Sequence, residues 1–62
     1  MYTKIESLIK EQGMSKMQLA MKAGINPSDL YQALKGNKPM FPAYRRKISN
    51  ALGVPEAELF EV

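Results

Sequence analysis

The stretch QLAMKAGINPSDLYQALKG, residues 18–36, restricts the fold more than any other part of the chain. Helix-forming residues lie on both sides of Gly24, and Asn26 is of the type that starts a helix. Because glycine takes a positive φ at little cost, the chain can turn sharply at Gly24. Ala20 is small enough for the next helix to pack directly over it. The stretch therefore predicts two short helices that cross at a steep angle, over about residues 16–35.

Apolar residues recur at the three- and four-residue spacing of a helix face along the rest of the chain. Ser15 and Gln18 fit a capping box before the second helix, and Pro27 suits the first position of the third helix. The fourth helix is expected over residues 43–52, and a final helical turn follows it. The residues predicted to face the core are Ile5, Leu8, Ile9, Leu19, Ala20, Ala23, Ile25, Leu30, Ala33, Leu34, Ile48, Ala51 and Leu52. We therefore expect an all-α protein, a compact bundle of five short helices in a single domain over residues 1–62.

The composition excludes several classes of function. The 62 residues include no cysteine and no histidine, so the chain lacks thiolate ligands and the commonest general base. We predict no metal, no cofactor and no enzymatic activity, because acid–base chemistry would fall to carboxylates or lysine. No apolar run approaches the roughly 18 residues of a membrane span. The N-terminal segment is not typical of a signal peptide, and we therefore expect a cytoplasmic location.

Positive charge is concentrated in the middle of the chain, although the formal net charge is only +3. The basic residues of this region are Lys35, Lys38, Arg45, Arg46 and Lys47, and the acidic residues that follow are Glu56, Glu58 and Glu61. This arrangement is typical of a protein that presents one face to an anion. It fits equally well a set of charges that only solvate the surface.

The order of several residues resembles one family of DNA-binding domains. The residues that carry the resemblance are Gly13, Met14, Ser15, Leu19, Ala20, Gly24, Leu59 and the run ALGV at 51–54. In this order they are similar to the Cro and lambda-repressor-like helix-turn-helix family, also called the XRE family, from about Ile5 to Phe60. The chain departs from the family at Lys16, where a glutamine is common, and at Leu34, where a glutamate is common.

The resemblance implies sequence-specific binding of double-stranded DNA by a transcriptional regulator, a Cro-like repressor of phage or prokaryotic type. In this family the third helix enters the major groove, which exposes a distinct pattern for each base pair. The residues expected to contact bases are Asn26, Pro27, Ser28, Tyr31 and Gln32, and Gln32 is suited to a paired contact with adenine. The residues expected to contact phosphates are Lys16, Lys35, Asn37, Lys38, Tyr44 and Arg45. Ala20 and Gly24 would form the turn.

A homodimer is expected on DNA, because small modules of this kind pair on inverted-repeat operators with half-sites about one helical turn apart. Self-contact would use the last two helices, with Leu59, Phe60 and Val62 as apolar candidates. Phe60 and Val62 would otherwise close the core. The expected location is the nucleoid of a prokaryotic cell or of a phage-infected host. The initial methionine fits either a complete small protein or the N-terminal part of a larger repressor.

Two methionines support a different function. Met17 and Met21 lie one turn apart in the second helix, at positions where the family is usually polar. They are either flexible gap-fillers in the core or an exposed patch for a protein partner, and we expect the first. The second alternative would make the chain a helical protein-interaction module, or an antirepressor, that kept the fold without reading DNA sequence.

Overall fold

The helix signals of the sequence lead to five helices in the structure. A computed structural model describes residues 2–60, so the predicted role of Val62 lies outside the described residues. The helices are α1 (Thr3–Glu11), α2 (Lys16–Ala23), α3 (Pro27–Lys35), α4 (Pro42–Leu52) and α5 (Glu56–Phe60). Residues 2–60 contain no strand, and the predicted all-α class is confirmed. α4 begins at Pro42 rather than at the predicted Ala43, because the fixed φ of proline fits the first helical position.

Side chains at two helix starts stabilise the α2–α3 pair. The Ser15 hydroxyl accepts a hydrogen bond from the Gln18 N–H at 3.1 Å, and the Gln18 side-chain oxygen accepts one from the Ser15 N–H at 2.8 Å. The predicted capping box is therefore confirmed. At the start of α3, Asn26 Oδ1 accepts a hydrogen bond from the Ser28 N–H at 2.9 Å. Between the two helices Gly24 has φ +73°, in the left-handed region that the lack of a Cβ permits.

One apolar core lies between the helices. Its buried residues are Ile5, Ile9, Leu19, Ala20, Ile25, Leu30, Ala33, Leu34, Ile48, Ala51, Leu52 and Leu59. Leu8 and Ala23, which were also predicted to face the core, are half-buried against it. No polar side chain is buried anywhere between residues 2 and 60. Because α2 packs against both α3 and α4, it joins the α2–α3 corner to the rest of the core.

The C-terminal helix closes the core beside the start of the chain. Leu59 of α5 is only 3% exposed. The rings of Tyr2 and Phe60 meet edge to face, with 5.7 Å between their centroids. The Ser49 hydroxyl donates a hydrogen bond to the Val54 carbonyl oxygen at 2.6 Å, which ties the end of α4 to the segment that leads into α5. In this described part of the chain, no helix combines the length and the apolar character that a membrane crossing requires.

Candidate nucleic-acid interface

α3 has one apolar face and one polar face. The apolar face consists of Leu30, Ala33 and Leu34, all buried in the core. On the opposite face Ser28 and Lys35 are exposed, and Tyr31 and Gln32 are half-buried. The hydroxyl, amide and phenol groups of this polar face are those that donate to and accept from base edges. The structure therefore brings most of the predicted base-contacting residues together on one side of one helix.

Asn26 and Pro27 form the N-terminal tip of α3. Asn26 is exposed, but its Oδ1 is already the acceptor of the helix cap. Its side-chain NH2 group has no part in the cap and can donate to a base or a phosphate. Pro27 is half-buried at the first helical position and has no N–H, so it offers only packing.

The segment after α3 folds back over the polar face of the helix. Gly36 ends α3 with φ +86°, in the left-handed region. The chain reversal lets the Asn37 N–H donate to the Gln32 carbonyl oxygen at 2.9 Å. The Asn37 side-chain Nδ2 also donates to the Gln32 side-chain Oε1, at 2.9 Å. Asn37, predicted as a phosphate contact, therefore holds a predicted base-reading residue through two hydrogen bonds.

Lys38, the next residue of this segment, forms an ion pair with the first turn of α3. Its Nζ lies 3.0 Å from Oδ1 of Asp29, which belongs to the first turn of α3. The pair balances the one negative charge that α3 carries. An uncompensated carboxylate beside the polar face would repel an anion, and the ion pair with Lys38 reduces that repulsion.

Two further predicted phosphate contacts form ion pairs. Lys16 Nζ lies 3.3 Å from Glu6 Oε1, and both side chains are largely exposed. Arg45 Nε lies 3.8 Å from Glu56 Oε1 on α5, and this buried nitrogen has no hydrogen-bond partner among residues 2–60. An exposed ion pair such as that of Lys16 contributes only about 0–1 kcal/mol, so a phosphate can replace the Glu6 carboxylate at small cost. The Lys16 pair is the easier one to exchange, because Arg45 is more deeply covered.

The remaining two predicted phosphate contacts differ in accessibility. Lys35, in the last turn of α3, is exposed. Tyr44 is half-buried, with its ring packed on the core and edge to face against Phe41 at a centroid distance of 5.6 Å. The Tyr44 ring therefore packs the first turn of α4 against Phe41, the last residue before the helix. Any contact with DNA would come from its hydroxyl group.

Met17 and Met21 do not fill gaps in the core. Their side chains are 53% and 72% exposed, so the expectation of gap-filling is wrong. The buried residues of α2 are Leu19 and Ala20, and the helical step of 100° places both methionines on the other side of the helix. α2 thus carries two neighbouring apolar side chains in contact with solvent.

The apolar candidates for self-contact on α5 are used within the protein. Leu59 is a member of the core, and Phe60 is half-buried against Tyr2. A dimer that used Leu59 would first have to open the core. No cluster of acidic side chains within residues 2–60 has the composition and number needed to hold a metal ion.

The hydrogen bond between Asn37 and Gln32 and the ion pair between Lys38 and Asp29 were not predicted from the sequence. The only signal for them was Gly36, since a left-handed glycine after a helix sends the next residues back along it. Comparison of the chain with protein-family models, with curated proteins and with solved structures gave no match.

Proposed function

We propose that this chain is a sequence-specific double-stranded DNA-binding protein, a helix-turn-helix transcriptional regulator of the Cro and lambda-repressor-like type. The observation that carries the proposal is the polar face of α3, which is held outward by the buried residues of the same helix. The turn at Gly24 and the cap at Asn26 set the direction in which α3 leaves α2. Under this proposal the protein acts at the nucleoid of a prokaryotic cell or of a phage-infected host.

In this proposal α3 enters the major groove with its polar face toward the bases. The groove is about 12 Å wide and admits one α-helix. Ser28 and Gln32 supply hydrogen bonds to base edges, and Tyr31 packs on a thymine methyl group or bonds to a phosphate. Asn26 and Pro27 lie at the tip of α3, from which they reach the edge of the groove. Discrimination among sequences comes from these contacts.

Phosphate contacts supply most of the affinity and fix the register on the duplex. Lys35 is exposed at the end of α3, and Lys38 follows it in the returning segment. Lys16 lies at the start of α2, where the helix dipole also favours an anion. Tyr44 and Arg45 are the proposed phosphate contacts at the start of α4. They are less accessible, because the Tyr44 ring packs against Phe41 and Arg45 pairs with Glu56.

The proposed operator is an inverted repeat bound by two copies of the chain. One α3 makes few base contacts, and two half-sites about one helical turn apart double them. Since Leu59 and Phe60 pack within the protein, the two copies would pair chiefly through the DNA.

Selection of bound duplexes from a random pool at physiological salt tests this function. The proposal expects an enriched inverted repeat, a dissociation constant of about 10⁻⁸ M or lower for two bound copies, and a steep loss of affinity with salt. The half-site spacing in the selected pool reports whether two copies bind together. Affinity for the best selected duplex within a few-fold of that for random duplex would refute sequence-specific reading.

The exposed methionine pair favours a second candidate function, a protein-interaction module or antirepressor. Met17 and Met21 are flanked by Lys16 and Lys22, and α2 carries no acidic residue. Apolar side chains between two cations suit an amphipathic helix that carries carboxylates. The partner that this function requires is therefore an amphipathic helical segment of another protein, with apolar residues to contact the methionines and acidic residues to contact the two lysines.

A displayed library of 20-residue peptides distinguishes this second function. Peptides are selected on the wild-type protein and counter-selected on the Met17→Glu, Met21→Glu double variant. Enriched peptides that are acidic and amphipathic, together with unchanged DNA binding by the double variant, would support it. No enrichment over an unselected library, or loss of DNA binding in the double variant, would count against it.

A further inference from the structure

The methionines within residues 2–60 fall into two groups by their exposure to solvent. Met17 and Met21 lie one turn apart on α2 and are 53% and 72% exposed. Met14 and Met40 are half-buried, and both pack against the core. The first pair is therefore more open to small molecules dissolved in water than the second pair.

Methionine sulfur is the most easily oxidised atom that this chain contains. Cysteine would compete for an oxidant such as peroxide, but the sequence has no cysteine. It has no tryptophan and no histidine either. Because susceptibility to oxidation follows exposure, the two methionines of α2 are the first groups that peroxide would reach.

The position of the pair on α2 separates this chemistry from the core. The buried residues of α2 are Leu19 and Ala20, on the side of the helix opposite the two methionines. A sulfoxide is polar, and on this outer face it would stay in water. The same change at Met14 or Met40 would press a polar group against apolar side chains, which is unfavourable.

We propose that Met17 and Met21 form a modification site, at which peroxide converts both thioethers to sulfoxides while the fold is kept. The sulfur lone pair attacks one oxygen of hydrogen peroxide, so an S–O bond forms and the O–O bond breaks. The sulfur is oxidised by two electrons, and the departing hydroxide takes the remaining proton to give water. One peroxide is consumed for each sulfur.

Oxidation at this site changes the chemical character of the outer face of α2. Two flexible apolar side chains become polar groups that accept hydrogen bonds. A partner that packs apolar side chains on Met17 and Met21 would lose that contact. The inference concerns the reactivity of α2 alone, so it does not depend on the proposed function.

The rates of oxidation at single methionines test the first part of this inference. Folded wild type is treated with dilute hydrogen peroxide, and the reaction is stopped at intervals with free methionine. Protease digestion and mass spectrometry then report the gain of one oxygen at each site. Met17 and Met21 should react several-fold faster than Met14 and Met40, because they are more exposed.

The same treatment of the unfolded chain in urea is the matched control. Unfolding exposes all four methionines, so their rates should become similar. Equal rates at the four methionines of the folded protein would overturn the inference. A preference for Met17 and Met21 that persists in urea would also overturn it, since the preference would then come from the local sequence rather than from the fold.

Thermal unfolding of the oxidised protein tests whether the fold is kept. Protein oxidised only at Met17 and Met21 should unfold cooperatively, with a midpoint within about 4 °C of the untreated protein, because these side chains lie on the surface. A larger fall in the midpoint, or loss of the cooperative transition, would contradict this part.

The Met17→Leu, Met21→Leu double variant separates the pair from the other methionines. It removes both reactive sulfurs and keeps the apolar character of the face. Brief treatment with peroxide should leave this variant unoxidised between residues 2 and 60, whereas wild type gains two oxygen atoms there. Oxidation of Met14 or Met40 in the variant at the rate of the wild-type pair would overturn the inference. Neither result bears on the proposed function, which selection of duplexes by untreated protein tests separately.

Discussion

The α2–α3 pair and the α4–α5 pair are stabilised in different ways. α2 and α3 each begin at a side-chain cap, Ser15 and Asn26, and each ends at a left-handed glycine. α4 begins after Phe41, and no side chain within residues 2–60 caps it by a hydrogen bond. α5 is only five residues long. α4 also ends at a left-handed glycine, Gly53, and the Ser49 hydroxyl ties its end to the next segment. The two pairs therefore differ at their helix starts: side-chain hydrogen bonds cap α2 and α3, whereas packing against the core positions the start of α4.

This difference matches the roles that we assign to the two pairs. A helix that reads base edges must keep its direction relative to the corner, and local bonds at both ends of α3 fix that direction. α4 and α5 supply a supporting surface, for which packing of their apolar residues is enough.

The largest effect is expected at the core anchors of the two pairs. Leu30→Ala should lower the free energy of unfolding by about 2–5 kcal/mol, because Leu30 lies on the inner face of α3 and is fully buried. Leu59→Ala should cost less, since the short α5 can relax around the lost volume. Urea unfolding followed by circular dichroism measures both. Equal losses would show that α5 is as firmly integrated as α3, contrary to the comparison.

The glycines that end α2 and α4 form a matched pair. Gly24 has φ +73° and Gly53 has φ +70°, and a Cβ at either position would meet no atom within 4 Å. Gly24→Ala and Gly53→Ala should therefore each cost about 1–2 kcal/mol of stability, from backbone strain alone. Thermal unfolding of the two variants measures the difference. A clearly larger loss for Gly24→Ala would reveal a further constraint on the corner that the structure does not show.

The helix caps should give a smaller effect. Asn26→Ala should cost about 1 kcal/mol, because the Ser28 N–H loses its acceptor, whereas Asn26→Asp should keep most of the stability. Asn50→Ala, at an exposed position on α4, should change stability by about 0.5 kcal/mol or less. Chemical unfolding of the three variants checks these values. A cost of Asn26→Ala as small as that of Asn50→Ala would mean that the cap does not stabilise α3.

The smallest effect is expected at the exposed ion pair of Lys16. Glu6→Gln should change stability by less than about 1 kcal/mol, because the pair with Lys16 is exposed to solvent. It should also tighten binding to all duplexes alike, since Lys16 becomes free for a phosphate. Unfolding and salt-dependent binding measurements test the two parts. Tighter binding to one sequence only would place Lys16 near a base instead.

The parts of the fold that depend on short-range chemistry were predicted from the sequence. Gly24 and the caps at Ser15 and Asn26 are examples, because each involves residues no more than three positions apart. The exposure of Met17 and Met21 was also within reach of the sequence. The 100° step from Leu19 and Ala20 places both methionines away from the core, and the expectation of gap-filling overlooked it.

The contacts within the candidate site were harder to predict. Lys38 and Asp29 are nine positions apart, and the link between Arg45 and Glu56 joins two helices. Such pairs depend on how the chain reverses after α3 and on how α5 returns to α4. Neither follows from the residue types alone. The polar face of α3 was predictable as a face, whereas the hydrogen bond that orients Gln32 was not.

Amide shift mapping with duplex DNA shows which residues of the protein meet the duplex. Labelled protein is titrated with the duplex returned by selection, or with random duplex if none is enriched. We predict that the largest shifts fall on residues 26–38, which comprise α3 and the segment that returns over it. Shifts confined to α5, or to the methionine face of α2, would contradict the account.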